Sequence, residues 1–170
     1  QYVVNNDPAR PVAMWVVNAP HAWCGLDVPR SGYGIDNPDN VYRNIPIDGA
    51  THYEIHGRIT HPGPVELHFA LMDSIPGTTP ITAEGGGVLA ALRSDQIKTA
   101  PDGTFTISVD SLPAGDRSNH IQTPRDGRYL LIVRDLFTDW GTQNPVELEI
   151  RRLGSDPLPP SPSDDQLAME

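Results

Sequence analysis

The sequence is poor in the residues and runs that define several large classes of protein. It holds one cysteine, Cys24, which excludes an internal disulfide and a paired-thiol metal or redox motif. It has no apolar run of about 18 residues, so no membrane-spanning helix is predicted. The phosphate-binding, zinc-protease and nucleophile-elbow signatures are also missing. No cofactor is therefore predicted.

Positive charge is scarce. The 12 Lys and Arg residues are outnumbered by 22 Asp and Glu residues, so the formal net charge is −10. Nucleic-acid phosphates and anionic membrane surfaces both attract basic faces. The composition therefore argues against nucleic acid and membrane as partners. No basic segment followed by an apolar one opens the sequence, so no signal peptide is visible.

Gly and Pro are plentiful, and they punctuate the chain. The sequence has 15 Gly and 18 Pro residues, well above ordinary usage of roughly 12% for the two together. They separate short runs that are apolar or alternate between apolar and polar, a pattern typical of many short strands. We predict one all-β domain over residues 1–153, an antiparallel β-sandwich or jelly roll. Residues 18–40 are predicted to form one long loop. Residues 154–170 are predicted to be either a Pro/Ser/Asp-rich linker to a missing C-terminal segment or a free acidic tail.

Two alternating segments stand out. Residues 52–59 and 65–72 each place apolar side chains on one face and polar ones on the other. The turn-like residues 60–64 between them favour a hairpin, with Arg58 opposite Glu66.

The same register would place His56 opposite His68. With Glu54, the two imidazoles would offer three ligands for zinc or iron on one sheet face. The alternative is an ordinary solvated polar face, and the sequence leaves both open.

A polar loop at residues 36–40 leads directly into a patterned strand. Its Asp and Asn oxygens adjoin Tyr42 and Arg43, and a second polar group ends a later apolar strand. The predicted ligand-binding residues are Asn37, Asp39, Asn40, Tyr42, Arg43, Arg134 and Asp139.

Each of these residues also has a structural interpretation. The Asp and Asn side chains could instead form Asx-turns around Pro38. Arg134 either clamps a ligand carboxylate or pairs with Asp135, Asp139 or Asp36 to lock two loops together.

Three stretches resemble a known family. They are DNPDNVYRNIPIDGATHYEIHGR at 36–58, DGTFTISVD at 102–110 and RYLLIVRDLFTDW at 128–140. Together they are similar to the bacterial and fungal family called domain of unknown function 1214. The resemblance covers residues 36–153. It implies a β-rich domain that is part of a longer chain, and it implies no established reaction.

The sequence thus predicts a small-molecule-binding domain of an enzyme-like or accessory protein. Two alternatives stay open: a non-catalytic structural or protein-interaction domain, and a metal-dependent enzyme that uses the His pair. A second copy of the chain or a missing C-terminal segment is the expected macromolecular partner.

Overall fold

The computed structural model describes residues 7–16, 37, 39–73 and 87–154, and the backbone alone of residues 21–23 and 26–28. Cys24 and the predicted tail from residue 155 onward lie outside these residues. The described part of the chain holds strands and no α-helix. The strands are β1 (Met14–Val16), β2 (His21–Trp23), β3 (Leu26–Val28), β4 (Asn40–Asp48), β5 (His52–Arg58), β6 (Glu66–Met72), β7 (Val88–Arg93), β8 (Thr104–Asp110), β9 (His120–Gln122), β10 (Arg128–Leu136) and β11 (Glu147–Leu153).

The strands form two large sheets and one small one. The first sheet has five strands in the order β1-β4-β10-β6-β7, all paired antiparallel. The second has four in the order β11-β5-β8-β9, where only β8 and β9 run parallel. The predicted all-β class is confirmed. The pair β2–β3 lies within residues 18–40, so the prediction of one long loop there is wrong.

No membrane span is found among the described residues, because they include no long apolar helix.

The core lies between the two large sheets. Alternate side chains of β4, β6 and β10 point inward, as do those of β5 and β8, because side chains along a strand alternate between its faces. Phe69 of β6 meets Phe105 of β8 edge to face, with ring centroids 6.4 Å apart, so the two sheets are in direct contact. The core cluster contains Ile45, Ile47, Tyr53, Ile55, Leu67, Phe69, Leu71, Leu92, Ile97, Phe105, Ile107, Val109, Ile121, Tyr129, Leu131, Val133 and Val146.

Strand β10 is central in the five-stranded sheet. It pairs with β4 along its whole length and with β6 on its other side. Tyr129, Leu130, Leu131 and Val133 are all buried, in keeping with its largely apolar sequence.

The predicted hairpin between β5 and β6 is wrong. β5 pairs with β11 and β8, whereas β6 pairs with β10 and β7. The connection through residues 59–65 therefore crosses from one sheet to the other. Arg58 lies opposite Glu147 and Thr104 instead of Glu66. The apolar faces of β5 and β6 meet across the core, an arrangement that satisfies the same alternating pattern as a hairpin.

Candidate functional site

Arg43 lies on the inward face of β4, in a buried ion pair. Its Nη2 donates to Oδ2 of Asp135 at 2.5 Å, and its Nη1 donates to the carbonyl of Val146 at 2.6 Å. The amide of Val146 donates back to Oδ1 of Asp135 at 3.2 Å. The two charged side chains are 3% and 0% exposed. Because Val146 immediately precedes β11, this network ties the five-stranded sheet to the four-stranded one.

Burial dominates the electrostatics of this pair. It lowers the pKa of Arg43 although Asp135 acts against the shift, and it raises the pKa of Asp135 although Arg43 acts against that shift. The ring of Trp15 covers the guanidinium at 4.8 Å. Arg43 is thus enclosed by its own chain, and the structure gives it a locking role. The sequence offers that role to Arg134 as one of two interpretations, but the partner of Asp135 is Arg43.

The loop before β4 is held by its own polar groups. The amide of Asp39 donates to Oδ1 of Asn37 at 3.0 Å, which is an Asx-turn. The hydroxyl of Tyr42 accepts from the amide of Asn37 at 3.1 Å and from Nδ2 of Asn40 at 3.2 Å. The carbonyl of Asp39 accepts from the amide of Phe137 at 2.8 Å. The loop is therefore built around the Tyr42 hydroxyl and fixed against the end of β10.

Asp139 organises a separate turn after β10. Its carboxylate accepts from the amide of Gly141 at 2.9 Å and from the hydroxyl of Thr142 at 2.8 Å. Hydrogen bonds from the Thr142 hydroxyl and from the backbone amides of Gly141 and Thr142 lower the pKa of Asp139. Gln143 closes the turn by accepting from the amide of Asp139 at 2.8 Å. The structure gives Asp139 a loop-forming role.

A line of polar side chains crosses the outer face of the five-stranded sheet. In the strand register, Arg134 of β10 lies opposite Tyr42 of β4 on one side and His68 of β6 on the other. His68 in turn lies opposite Arg93 of β7. Directly opposite residues on neighbouring antiparallel strands have Cβ atoms about 5 Å apart on one face. We call Tyr42, Arg134, His68 and Arg93 the cation row.

Arg134 faces an imidazole where a carboxylate would be usual. Its Nη2 contacts Nδ1 of His68. Because a guanidinium only donates, this contact is favourable when Nδ1 carries no proton. Within the described residues Arg134 forms no ion pair, although its side chain is half-buried. Arg93 has a distant carboxylate neighbour, Asp95, at 3.9 Å.

The row is electropositive enough to affect its own histidine. Burial is the largest cause, and it lowers the pKa of His68. The charges of Arg134 and Arg93 lower that pKa further, while the charge of Glu66 raises it. His68 is therefore held neutral between two cations. The Tyr42 hydroxyl already accepts two hydrogen bonds, and its own proton has no acceptor among the described residues.

The residues proposed for a metal do not come together. Glu54 and His56 lie on the outer face of the four-stranded sheet, where His56 Nε2 is 3.2 Å from Glu54 Oε2 and His56 Nδ1 is 3.3 Å from Thr106 Oγ1. His68 lies on the other sheet, with the core between. No group of three metal-ligating side chains occurs in the part of the chain that the structure describes. The hypothesis of a His-pair metal site is therefore wrong in its geometry.

Two open cavities adjoin the four-stranded sheet and the loops beside it. One of about 490 Å³ is lined by His56, Lys98, Thr104 and Thr106 among others. The second, of about 390 Å³, adjoins it at Ala100. None of the predicted ligand-binding residues lines either cavity.

A further polar cluster surrounds Asp110 at the end of β8. Arg117 donates to both carboxylate oxygens, at 2.6 and 3.2 Å, and the amide of Leu112 donates to Oδ1 at 2.8 Å. His120 is held between Ser108 Oγ and the carbonyl of Leu112, both at 2.9 Å, with its side chain 2% exposed. These contacts fix the 111–119 connection, so His120 has a structural role here.

Of the seven predicted ligand-binding residues, the structure gathers four. Asn37, Asn40, Tyr42 and Arg134 lie at one end of the cation row, whereas Arg43 points into the core and Asp139 shapes another turn. Asp39 contributes its backbone to the loop. Sequence reasoning missed Arg93 and gave His68 a different role, because only the pairing of β6 with β7 and β10 places them beside Arg134.

Comparison with known proteins gives structural likeness only. No family model matches the chain, and none of the curated proteins matches it in sequence. The resemblance to the domain of unknown function 1214 family therefore stays a prediction. An uncharacterized protein from Burkholderia cenocepacia has a similar crystal structure, with a TM-score of 0.71 and 26% identity over 99% of this chain. The match spans 41% of that chain.

The VPA0106 protein from Vibrio parahaemolyticus is more distant. Its crystal structure gives a TM-score of 0.47 and 15% identity over 68% of this chain and 31% of its own.

Proposed function

We propose that this domain binds a small anionic ligand, one bearing a carboxylate, phosphate or sulfate group, at the cation row. The observation that carries the proposal is Arg134, a half-buried guanidinium with no carboxylate partner among the described residues. A partly buried charge is costly to leave without a counter-charge. An anionic group of the ligand supplies that counter-charge.

The neighbours of Arg134 supply the remaining donors. Arg93 adds a second guanidinium two strands away, at about 10 Å across the sheet. The Tyr42 hydroxyl has a proton to donate, and the 37–40 loop fixes its position. A planar guanidinium fork suits a carboxylate or phosphate edge, which is the reason to expect an oxyanion.

The charge of the whole chain makes this row distinctive. With 22 acidic and 12 basic residues, the chain repels anions in general. The cation row differs from the rest of the chain, because it places three basic side chains on one face. Its acidic neighbours are Glu66 and Asp95. The hydrogen-bond donors of the cation row, and not the electrostatic field of the whole chain, would therefore hold the ligand.

Calorimetric titration with sulfate, phosphate, acetate and succinate tests the proposal. The wild-type protein is expected to bind at least one of them, and Arg134→Gln is expected to weaken that binding about tenfold to hundredfold, because hydrogen bonds to charged groups contribute about 1.5–3 kcal/mol. Arg58→Gln is the matched control. It removes an exposed arginine from β5, on the other sheet, and leaves affinity unchanged.

The proposal is wrong if none of these anions binds, or if Arg58→Gln weakens binding as much as Arg134→Gln. Unfolding curves for each variant ensure that a loss of binding is not a loss of fold.

A second function has its own supporting observation. Among the residues whose side chains the structure describes, Trp15 and Trp140 are largely exposed, at 55% and 57%. Aromatic residues of this kind are enriched in protein interfaces. The chain also spans less than half of its Burkholderia neighbour. We therefore retain a protein-interaction role beside ligand binding, one in which a second copy or another segment covers these rings.

A further inference from the structure

The contact between Arg134 and His68 has a consequence for regulation. We propose that anion binding at the cation row is coupled to proton uptake by His68, so that the site fills as the pH falls and empties as it rises. This inference rests on the proposed function and adds its regulation.

The coupling follows from which atom donates. Arg134 lies against Nδ1 of His68. A guanidinium only donates, so this contact is favourable when the imidazole is neutral and Nδ1 is free to accept. When Nδ1 gains a proton it can no longer accept, and two cations then face each other. An oxyanion between them restores the balance, since it accepts from both His68 and Arg134.

The charges around His68 favour the same direction. β10 presents Arg134, β7 presents Arg93 with Asp95 3.9 Å from its Nε, and β6 itself presents Glu66. Tyr42 of β4 lies one strand beyond Arg134. Without a ligand, burial and the two guanidiniums keep His68 neutral and its pKa low. A bound anion offsets the positive charge of both guanidiniums and so raises the pKa of His68. By reciprocity, protonation of His68 raises the affinity for the anion.

The sign of the effect is therefore fixed. In the unliganded protein the pKa of His68 lies below the ordinary histidine pKa of about 6.5. As the pH falls below that value, the unfolded chain takes up the proton more readily, so the folded state loses stability. A bound anion removes that penalty. One proton taken up per anion limits the change in affinity to about tenfold per pH unit.

Sulfate is the probe, because it stays fully ionised between pH 5 and 8 and its own titration cannot imitate the effect. The experiment measures its affinity across this range at constant ionic strength, made up with sodium chloride. Wild-type affinity is expected to rise toward pH 5, by more than threefold overall. His68→Asn offers an amide oxygen near the place of Nδ1 and takes up no proton, so its affinity is expected to stay flat. His56→Asn, on the other sheet, is the control and keeps the wild-type slope.

A second measurement needs no variant. The His68 imidazole resonance, followed by nuclear magnetic resonance, should titrate at a higher pH in the presence of sulfate than in its absence. Sulfate that binds through Arg134 with the same affinity at pH 5 and 8 would overturn the coupling and leave the proposed function standing. A pH slope that survives in His68→Asn would overturn it too. Absence of any sulfate binding at pH 5 would overturn the coupling, whereas the proposed function would fall only if phosphate, acetate and succinate also failed to bind.

Discussion

Tyr42 and Arg43 are adjacent in sequence, yet they serve opposite faces of β4. Tyr42 points outward, where its hydroxyl orders the 37–40 loop, and Arg43 points inward to Asp135. The period of two along a strand separates neighbours in this way. One residue therefore belongs to the candidate ligand site and the other to the core.

The buried ion pair of Arg43 and Asp135 is expected to matter for stability. Arg43→Met removes the guanidinium that donates to the Asp135 carboxylate and to the carbonyl of Val146. Asp135 is then left buried without a counter-ion. We expect a loss of about 3–5 kcal/mol in the free energy of unfolding, typical of breaking a buried pair. Urea-induced unfolding measures it.

The control for this prediction is an exposed pair. Arg151 contacts Glu149 at 2.9 Å with both side chains about 60% exposed, so Arg151→Met should leave the free energy of unfolding almost unchanged. Equal costs for the two variants would contradict the locking role of Arg43. Because burial opposes the charge on both partners, the double variant Arg43→Met/Asp135→Leu should be more stable than Arg43→Met alone.

Part of the candidate site could be predicted from residue types. Tyr42, the Asn residues of the loop and Arg134 stood out because polar groups of this kind cluster where strands meet loops. Arg93 did not stand out, since a charge at the end of a short apolar strand is ordinary. Its significance depends on β7 pairing with β6, which brings together residues 25 positions apart in sequence, His68 and Arg93. Local patterns carry no information on such pairings.

At the scale of elements, strand positions were easier to predict than strand partners. The bounds of β5, β6, β8, β10 and β11 follow closely from alternation and turn residues. The partner of β5 does not. An alternating strand has one apolar face, and that face is buried equally well beside β6 or opposite it. Long-range pairing with β11 and β8 decides between the two.

Gly57 of β5 packs against an aromatic ring of the neighbouring strand. It lies opposite Phe105, and a Cβ at position 57 would come within 2.0 Å of the Phe105 ring. Gly57→Ala should therefore destabilise the protein by about 1–3 kcal/mol through overpacking, although alanine is otherwise tolerated in strands. Thermal or urea unfolding measures the loss.

The contact with Phe105 supplies the control. In a Phe105→Leu background the ring is gone, so adding the methyl group of Gly57→Ala should cost clearly less than in the wild-type chain. A cost that is the same in both backgrounds would mean that some other contact limits position 57.

At the scale of the whole molecule, the exposed rings predict association. Trp140 packs on Phe137 with ring centroids 5.0 Å apart and is otherwise open to solvent. We expect sedimentation velocity to show association that increases with protein concentration, and Trp140→Gln to shift it toward monomer. Unchanged association in that variant, or a monomer at every concentration, would argue against this surface as the interface.

The order of strands within the sheets has a consequence for how the chain is made. β4 and β5 lie early in the sequence, but β4 is completed by β10 and β5 by β11, about 90 residues later. Contacts this distant give a high relative contact order, which is associated with folding in milliseconds to seconds. A ribosome that has released only residues 1–127 has supplied neither β10 nor β11. Until then β4 and β6 lack the strand that lies between them in the sheet. The first half of the domain therefore cannot complete its sheet before the last quarter is synthesised.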